Sequence, residues 1–422
     1  MIIIKRLTII LLVAVLLAVT TVSILGAEEE KIKTLSENIV SGGPAPDGIP
    51  PIEDPKYVSI AEADEFLEAE DAVFVAELED GIYVFPQKIM VWHEIVNKEI
   101  NGEKLSVTYC PLTGSAIGYY GELSAGSTDF GTSGKLVNSN LIMYDRQTES
   151  YWSQILGQAV SGPLAGEKLD RFQITWTSWN NVRTKYEKAN ILSNKTGFNR
   201  DYTSDPYGSY HSDDAAGNYY KNDNLFFNVL SADDRLDRKD IVIAGEYKGE
   251  HFAVEKEFVV REKEVNFTIS DNQLTAIYEP ELDTVRISKD AEELVVYDVM
   301  WFGWHAFYPE FSENLIKGAE IREIEVILNN FDFVPDQITV KPGEKIRFKL
   351  INPSSAYHTF TIYNSKTDRE QAIVDIALSA GEEKEVVVQM PAEEKELYLV
   401  CLPHEGIGMT GKVIVETDKM NN

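Results

Sequence analysis

The last stretch of the chain brings together four side chains that bind transition metals. Cys401, His404 and Met409 stand at a Cys-x2-His-x4-Met spacing, and His358 lies 43 residues before Cys401. A thiolate, two imidazoles and a thioether suit a copper ion that cycles between Cu(I) and Cu(II), because sulfur holds the reduced ion and imidazole holds both forms. The spacing lets one short hairpin direct three ligands at one point. The sequence therefore predicts one mononuclear type 1 copper site, whose Cu(I)/Cu(II) couple exchanges one electron.

Other interpretations of these four residues explain the pattern less well. Each residue type alone is more often structural, with Cys401 as a small buried hydrophobe and Met409 as a core gap-filler. Structural zinc sites use more cysteine or histidine and rarely a thioether. A dinuclear copper centre needs more than the one cysteine of this loop, and copper delivery proteins usually present paired thiols or methionine clusters. The combined spacing within a strand-rich segment favours mononuclear copper.

The segment from about Glu320 to Glu416 resembles a cupredoxin of the plastocyanin, amicyanin and halocyanin type. The matching residues are Phe333, Pro335, Ile338, Val340 and Gly343, then His358, then Cys401, Pro403 and His404, then Gly408, Met409, Gly411 and Val413. This resemblance implies a Greek-key β-sandwich in which His358, Cys401, His404 and Met409 bind the copper. The chain differs at Thr359, where many relatives carry an asparagine that braces the cysteine loop.

The N-terminus has the pattern of a targeting segment. Lys5 and Arg6 precede an apolar run from Leu7 to Leu25, and Glu28 opens an acidic stretch. This charge asymmetry places the rest of the chain outside the cytoplasm. Residues 1–27 are therefore expected to be a signal peptide or an N-terminal membrane anchor. The run of about 18 or more apolar residues is long enough to span a bilayer, which favours the anchor.

Composition agrees with an extracytoplasmic protein that is secreted or anchored to the outer face of the membrane. Only two cysteines occur in 422 residues, so a disulfide framework is excluded. The formal net charge of −30 argues against nucleic acid as a partner. It favours a redox partner protein with a basic docking surface.

The chain is expected to be mainly β and to contain two domains. Residues 28–51 are rich in proline, glycine and acidic side chains and are predicted to be a flexible tether. Residues 52–312 are predicted to form a larger β-rich domain, with short helices at Ile60–Glu68 and Trp176–Lys185. The cupredoxin sandwich is expected at residues 320–417. No internal repeat of fixed period is evident.

Most of residues 52–309 resemble a family of extracytoplasmic domains of unknown function. The segments that carry the resemblance are His93–Asn97, Thr108–Ser115, Phe130–Gly134, Tyr144–Gln154 and Arg200–Tyr202. They include the motifs Thr-Tyr-Cys-Pro-Leu-Thr-Gly-Ser and Tyr-Asp-Arg-Gln-Thr-Glu-Ser-Tyr-Trp-Ser-Gln. This resemblance implies no reaction.

Cys110 is the candidate nucleophile of the large domain. A reactive thiol needs a lowered pKa, so a base such as His93 or a cation such as Arg146 or Arg200 would have to approach it. Thr113 stands where a second cysteine would have made a Cys-x-x-Cys motif, which excludes a dithiol mechanism within this domain. The alternative is a buried, unreactive thiol.

A polar cluster that includes Arg146, Arg200 and Asp201 has groups suited to binding a sugar, a peptide or an anion. The same residues can equally form structural salt bridges beneath loops. His211 and His251 have no metal-ligand spacing, and His305 lies among aromatic residues typical of a core.

Two functional classes follow from these patterns. In the first, the protein is an electron carrier whose large domain docks or organises a redox partner. In the second, the large domain is an enzyme, thiol-dependent or redox, that uses Cys110 and is served by the copper domain. Only the first class rests entirely on features visible in the sequence.

Overall fold

The computed structural model describes residues 26–210, 217–319 and 321–417. As predicted, the described chain is mainly β with short helices. It divides into one unit that ends at Lys317 and a second that begins at Gly318. Residues 1–25, which make up most of the predicted signal peptide or anchor, lie outside the described residues. Within the described ranges, no helix is long and apolar enough to cross a membrane.

Residues 28–51 differ from the predicted flexible tether, because they are folded onto the large unit. Residues 26–37 form helix α1, in which Leu35 is buried. Strand β1 (Val40–Ser41) then pairs with β10 (Phe130–Val137). The proline-rich segment that follows is held by side chains of the large unit, including His93 Nδ1, which lies 2.7 Å from the carbonyl oxygen of Pro50. Irregular backbone here is fixed by tertiary hydrogen bonds.

The large unit up to Leu192 contains three main sheets and short helices. The other strands of this part are β2 (Tyr57–Val58), β3 (Ala72–Leu78), β4 (Gly81–Pro86), β5 (Ile95–Ile100), β6 (Glu103–Cys110), β7 (Ser115–Tyr120), β8 (Glu122–Leu123), β9 (Gly126–Ser127), β11 (Asn140–Asp145), β12 (Tyr151–Ser153), β13 (Gln158–Ser161), β14 (Arg171–Phe172), β15 (Thr175–Ser178) and β16 (Asn190–Leu192). The helices are α2 (Ile60–Ala63), α3 (Gln87–His93) and α4 (Trp179–Lys185). The sheet orders are β1-β10-β11-β12-β13, β14-β7-β6-β5 and β15-β3-β4-β16-β2, with β8-β9 as a separate hairpin.

The rest of the large unit forms two four-stranded sheets. Its strands are β17 (Ile241–Tyr247), β18 (Glu250–Glu255), β19 (Glu264–Ile269), β20 (Asn272–Glu279), β21 (Thr284–Lys289), β22 (Glu292–Glu293), β23 (Val296–Met300) and β24 (Leu315–Ile316). Its helices are α5 (Lys256–Glu262) and α6 (Trp301–Phe307), with 3-10 turns at Tyr219–Lys221 and Pro309–Asn314. The sheet orders are β23-β17-β18-β24 and β19-β20-β21-β22.

The large unit contains one folding unit twice, which overturns the expectation that no repeat is present. The elements β3-β4-α3-β5-β6-β7 recur as β17-β18-α5-β19-β20-β21, and each element begins and ends 169 positions after its counterpart. The next strand and helix also recur, since β15 pairs with β3 just as β23 pairs with β17. Trp179 and Trp301 begin the helices that follow these strands, and both are buried.

The first copy differs from the second by an inserted sheet. Strands β8 to β13 lie between β7 and β14, whereas β21 and β22 are joined by a short turn. Few residues are identical between the copies, although Tyr109 and Pro111 correspond to Tyr278 and Pro280. The repeat is not evident in the sequence because two β-rich copies can keep the same fold with different residues. Each strand needs only to keep apolar residues at alternate positions.

The second unit is a sandwich of two sheets. Its strands are β25 (Arg322–Asn329), β26 (Asp332–Val334), β27 (Gln337–Val340), β28 (Lys345–Ile351), β29 (His358–Tyr363), β30 (Ala372–Leu378), β31 (Glu383–Gln389), β32 (Lys395–Val400) and β33 (Thr410–Val415). The sheet orders are β26-β25-β28-β31 and β27-β33-β32-β29-β30. Alternate residues of β28 are buried, and Phe348 meets Phe360 of the other sheet with ring centroids 5.0 Å apart. This core holds the two sheets face to face.

Candidate metal centre

Neighbouring strands of one sheet position the four predicted ligands. His358 begins β29, and Cys401 follows directly after β32. His404 lies in the 3-10 helix Leu402–Ile407, and Met409 is the residue before β33. Strands β32 and β33 form a hairpin, so the Cys401 N–H reaches the carbonyl oxygen of Met409 at 3.1 Å. The hairpin thereby closes the loop and brings its two ends to the start of β29.

The ligand atoms of His358, Cys401 and His404 lie within 4.8 Å of one another. The Cys401 Sγ atom is 3.3 Å from Nδ1 of His404 and 3.6 Å from Nδ1 of His358. In the described ranges, no other group of three or more histidine, cysteine or carboxylate side chains is arranged to hold a metal ion. His358, Cys401 and Met409 are buried, and His404 is partly exposed.

Ser354 determines which nitrogen of His358 is free. Its Oγ atom lies 2.7 Å from Oδ1 of Asn352 and 2.9 Å from Nε2 of His358. Because Asn352 Oδ1 can only accept, the single hydroxyl proton of Ser354 goes to it, and Ser354 must accept from Nε2–H. Nδ1 of His358 then carries the lone pair and faces Cys401. Burial lowers the pKa of His358, with His404 adding to the effect, so the imidazole is neutral as ligation requires.

The sulfur of Cys401 receives a hydrogen bond from the protein backbone. The N–H of Thr359 lies 3.3 Å from Sγ, a contact that helps to hold the sulfur in place. Soft sulfur and neutral imidazole nitrogen meeting at a buried point fit copper. Met409 is held beside them, since its N–H donates to the carbonyl oxygen of His404 at 3.2 Å.

The candidates of the large unit are not brought together around Cys110. Cys110 is 2% exposed, and burial raises the pKa of its thiol, with the nearby Glu94 adding to this. His93 is engaged elsewhere, with Nε2 at 2.6 Å from the hydroxyl of Tyr202. Among the described residues, no histidine, lysine or arginine is one of the groups that shift the pKa of this thiol, and the thiol is therefore protonated at neutral pH.

The remaining candidates have separate surroundings. Arg146 forms ion pairs with Asp47 and Glu53, which matches the structural interpretation of this residue. Arg200 lies over the ring of Trp92 at 5.9 Å, and Asp201 accepts hydrogen bonds from its neighbour Thr203.

The other histidines of the large unit are packed against its interior or lie outside the description. His251 stacks on Tyr308 with centroids 4.0 Å apart. His305 is buried, as the sequence suggested, and its ring contacts Ser231 and Ser312. His211 lies outside the described residues.

Glu94 is a buried acid that the sequence did not single out. It is 8% exposed, and its φ of 58° is positive, which is uncommon for a residue other than glycine. Burial raises its pKa to about 8. In the described chain, its carboxyl group has no ion-pair partner. The equivalent residue of the second copy is the exposed Lys263, also with positive φ at 69°. The turn itself therefore does not require an acid.

The fold and donor set of the second unit define a cupredoxin domain. Residues 322–416 match the family of copper-binding proteins of the plastocyanin and azurin type, and residues 46–295 match a family described as a protein of unknown function, DUF3179. The chain belongs to the DUF3179 family and carries a plastocyanin-type cupredoxin domain at its C-terminus. Both predicted resemblances are thereby confirmed, and copper is the metal that the cupredoxin family binds.

Two plant plastocyanins are among the similar proteins. Plastocyanin A'/A'' of Nicotiana tabacum is 35% identical over 103 residues, which cover 22% of this chain and 99% of the plastocyanin. Plastocyanin of Cucumis sativus is 31% identical over 102 residues, with coverage of 22% and 99%.

Solved structures of auracyanins are also similar. Dithionite-reduced auracyanin of Roseiflexus castenholzii has 20% identity and a TM-score of 0.21, with 24% of this chain and 100% of that chain covered. Auracyanin A of Chloroflexus aurantiacus has 16% identity and a TM-score of 0.21, with 23% and 100% covered.

Proposed function

We propose that this protein is an extracytoplasmic electron carrier in which His358, Cys401, His404 and Met409 hold one type 1 copper ion. The observation that supports this most is the approach of three ligand atoms, one thiol sulfur and two imidazole nitrogens, to within 4.8 Å. Bound copper supplies a couple between Cu(I) and Cu(II) for one-electron exchange.

The chain contributes a largely buried, hydrogen-bonded surrounding for that exchange. Ser354 keeps the His358 ring in one orientation, and the Thr359 N–H supports the sulfur of Cys401. Such outer contacts keep ligands in place when the oxidation state changes. A preformed site of this kind suits repeated electron transfer better than copper delivery, which requires ligands that open.

The partly exposed His404 is the proposed point of contact with a redox partner. Its ring lies 4.8 Å from that of Phe331, and Phe331, Leu402 and Ile407 are exposed apolar side chains close to it in space or along the chain. Exposed apolar groups favour close approach of another protein. The net charge of −30 would steer a partner with a basic docking surface.

The large unit is proposed to dock or organise that partner. Residues 1–27 would deliver the protein across the membrane as a signal peptide or hold it there as an anchor. The enzyme alternative has no supporting contact, because the thiol of Cys110 is buried and its pKa is raised. Electron transfer is therefore the function that the site supports best.

The visible and electron paramagnetic resonance spectra of the purified full chain, after addition of one equivalent of Cu(II), test the proposal. An intense blue band with narrow copper hyperfine splitting is expected, since both arise from a covalent copper–thiolate bond. A colourless protein with ordinary copper splitting would contradict the proposed ligand set.

A further inference from the structure

The two copies of the repeat in the large unit meet at an open cleft. Its volume is about 510 Å³, within the range of roughly 300–1,000 Å³ of small-molecule sites. Ala72 and Trp176 line it from the first copy, and Ile241, Lys256 and Asp298 line it from the second. The cleft is thus built by both copies together.

Equivalent positions of the two copies face this cleft. Ala72 and Ile241 begin the equivalent strands β3 and β17. Trp176 pairs with Phe74, and Asp298 pairs with Ile243, which is the counterpart of Phe74 in the second copy. One structural position therefore presents an indole in the first copy and a carboxylate in the second. Divergence of this kind turns a symmetric groove into one with a distinct aromatic side and a distinct polar side.

The polar side of the cleft contains a partly buried ion pair. Lys256 Nζ lies 2.7 Å from Oδ2 of Asp298, and the Asp298 side chain is only 8% exposed. Burying both charges costs solvation free energy that the pair itself does not always recover. A hydrogen-bonding ligand would use the remaining lone pairs of the carboxylate and the remaining N–H groups of the ammonium.

The aromatic side is fixed by a network behind it. Trp176 lies edge-on to Tyr210, with centroids 5.2 Å apart. The Tyr210 hydroxyl is 3.0 Å from that of Tyr109, which Gln87 also contacts at 3.2 Å. The indole N–H of Trp176 has no hydrogen-bond partner among the described residues, and it is not sealed from solvent. Because Trp176 lines the cleft, this N–H is left available to a ligand.

The lining combines donors and acceptors in a way that selects the ligand. Donors are the indole of Trp176, the ammonium of Lys256 and the side-chain amide of Asn180. Acceptors are the carboxylates of Glu70, Asp283 and Asp298. An anion would face the carboxylates, and a cation would leave the N–H donors unmatched. Hydroxyl groups both donate and accept, and an aromatic wall packs against the apolar face of a sugar ring.

We propose that this cleft binds a neutral saccharide of one or two rings. The inference is independent of the copper proposal, because every residue that carries it lies in the large unit. The ligand of the large unit would then be a carbohydrate of the extracytoplasmic space. Binding to it would hold the electron carrier at a glycan.

Calorimetric titration of the copper-loaded full chain tests the proposal. The probes are neutral mono- and disaccharides of glucose, galactose, mannose and N-acetylglucosamine, with glucosamine and glucuronate as cationic and anionic forms of the same ring. We expect saturable 1:1 binding of a neutral sugar. Its affinity should be at least as high as that of glucosamine and higher than that of glucuronate. Binding of glucosamine alone, of glucuronate alone, or of no sugar in the panel overturns the proposal.

Two variants connect such binding with the cleft. Trp176→Phe removes the indole N–H and reduces the aromatic face, and it is expected to weaken sugar binding roughly tenfold, as the loss of one hydrogen bond and part of a packing surface implies. Trp92→Phe is the matched control, because the indole of Trp92 donates to Ser204 outside the cleft. Equal affinity of wild type and Trp176→Phe would overturn the site assignment.

Asp283→Asn keeps the test usable if Trp176→Phe fails to fold. Asp283 is exposed at the rim, and an amide oxygen at this position can still accept the hydrogen bond from Tyr278. A several-fold loss of affinity is expected, and no change counts against the proposal. Both variants should retain the visible copper spectrum. That spectrum therefore tests the copper proposal independently of sugar binding.

Discussion

Thr359 Oγ1 accepts a hydrogen bond of 2.8 Å from the backbone N–H of Leu402. The strand that begins with His358 is thereby tied to the first residue after Cys401. The resemblance to cupredoxins implies an asparagine at this position in many relatives, where it braces the cysteine loop. In this chain a threonine makes the connection, and its own N–H contacts the sulfur as well.

Removal of this brace should loosen the copper loop. Thr359→Val keeps the shape of the side chain but removes the hydrogen bond to the partly buried Leu402 N–H, which costs about 0.5–1.5 kcal/mol. The measurements are the unfolding free energy of the copper-loaded protein and the rate of copper loss to a chelator. Thr339→Val, at an exposed strand position, is the control. Equal values for both variants would show that the brace is unimportant.

Cys401→Ser should abolish the blue colour. The band arises from the copper–thiolate bond, and a serine hydroxyl cannot supply it. The visible spectrum after copper addition checks this, with Cys110→Ala as the control that keeps its colour. If the serine variant stayed blue, the sulfur ligand would have to come from another residue.

Met409→Gln should keep copper bound but lower its reduction potential. An amide oxygen is a harder axial donor than a thioether and stabilises Cu(II) relative to Cu(I). Redox titration of the variant beside wild type measures the shift. Met390→Leu, in the core of the same unit, should leave the potential unchanged, and an equal potential for Met409→Gln would argue against axial ligation.

Cys110 should be inert while the protein is folded. Its thiol is 2% exposed, and burial raises its pKa, so little thiolate is present or accessible. In Cys401→Ser protein, Cys110 is the remaining cysteine of the two. A thiol reagent should label it only in denaturant. Rapid labelling of the folded protein would revive the thiol-enzyme alternative.

Glu94 should make stability fall as pH rises. Its pKa is about 8 in the folded protein against an ordinary value of 4.5, so the folded state binds more protons between these values. Stability therefore decreases with pH across that window and levels off above it. Relative to wild type, Glu94→Gln should gain roughly 2–4 kcal/mol between pH 4.5 and pH 9.

Urea unfolding of wild type and Glu94→Gln at several pH values measures this difference. Glu99→Gln, at an exposed position of β5, is the control and should follow the wild-type curve. Parallel pH dependences for Glu94→Gln and wild type would mean that Glu94 is already ionised in the folded protein.

The amino-acid sequence by itself determined the chemistry of the copper domain and its family. Cys401, His404 and Met409 lie on one short loop, so residues that are close along the chain are also close in space. The same holds for the second family, whose motifs are long contiguous runs. The sequence was sufficient to predict a site or a family wherever the residues concerned lie close together along the chain.

The tertiary structure alone decided which side chains surround those ligands and what the large unit can bind. The tautomer of His358 depends on Ser354 and Asn352, two ordinary polar residues whose role follows only from their contacts. Trp176 and Asp298 come to one cleft because each pairs with the equivalent strand of a duplicated fold. Strand register and packing bring together residues that are distant along the chain, and no local pattern records that proximity.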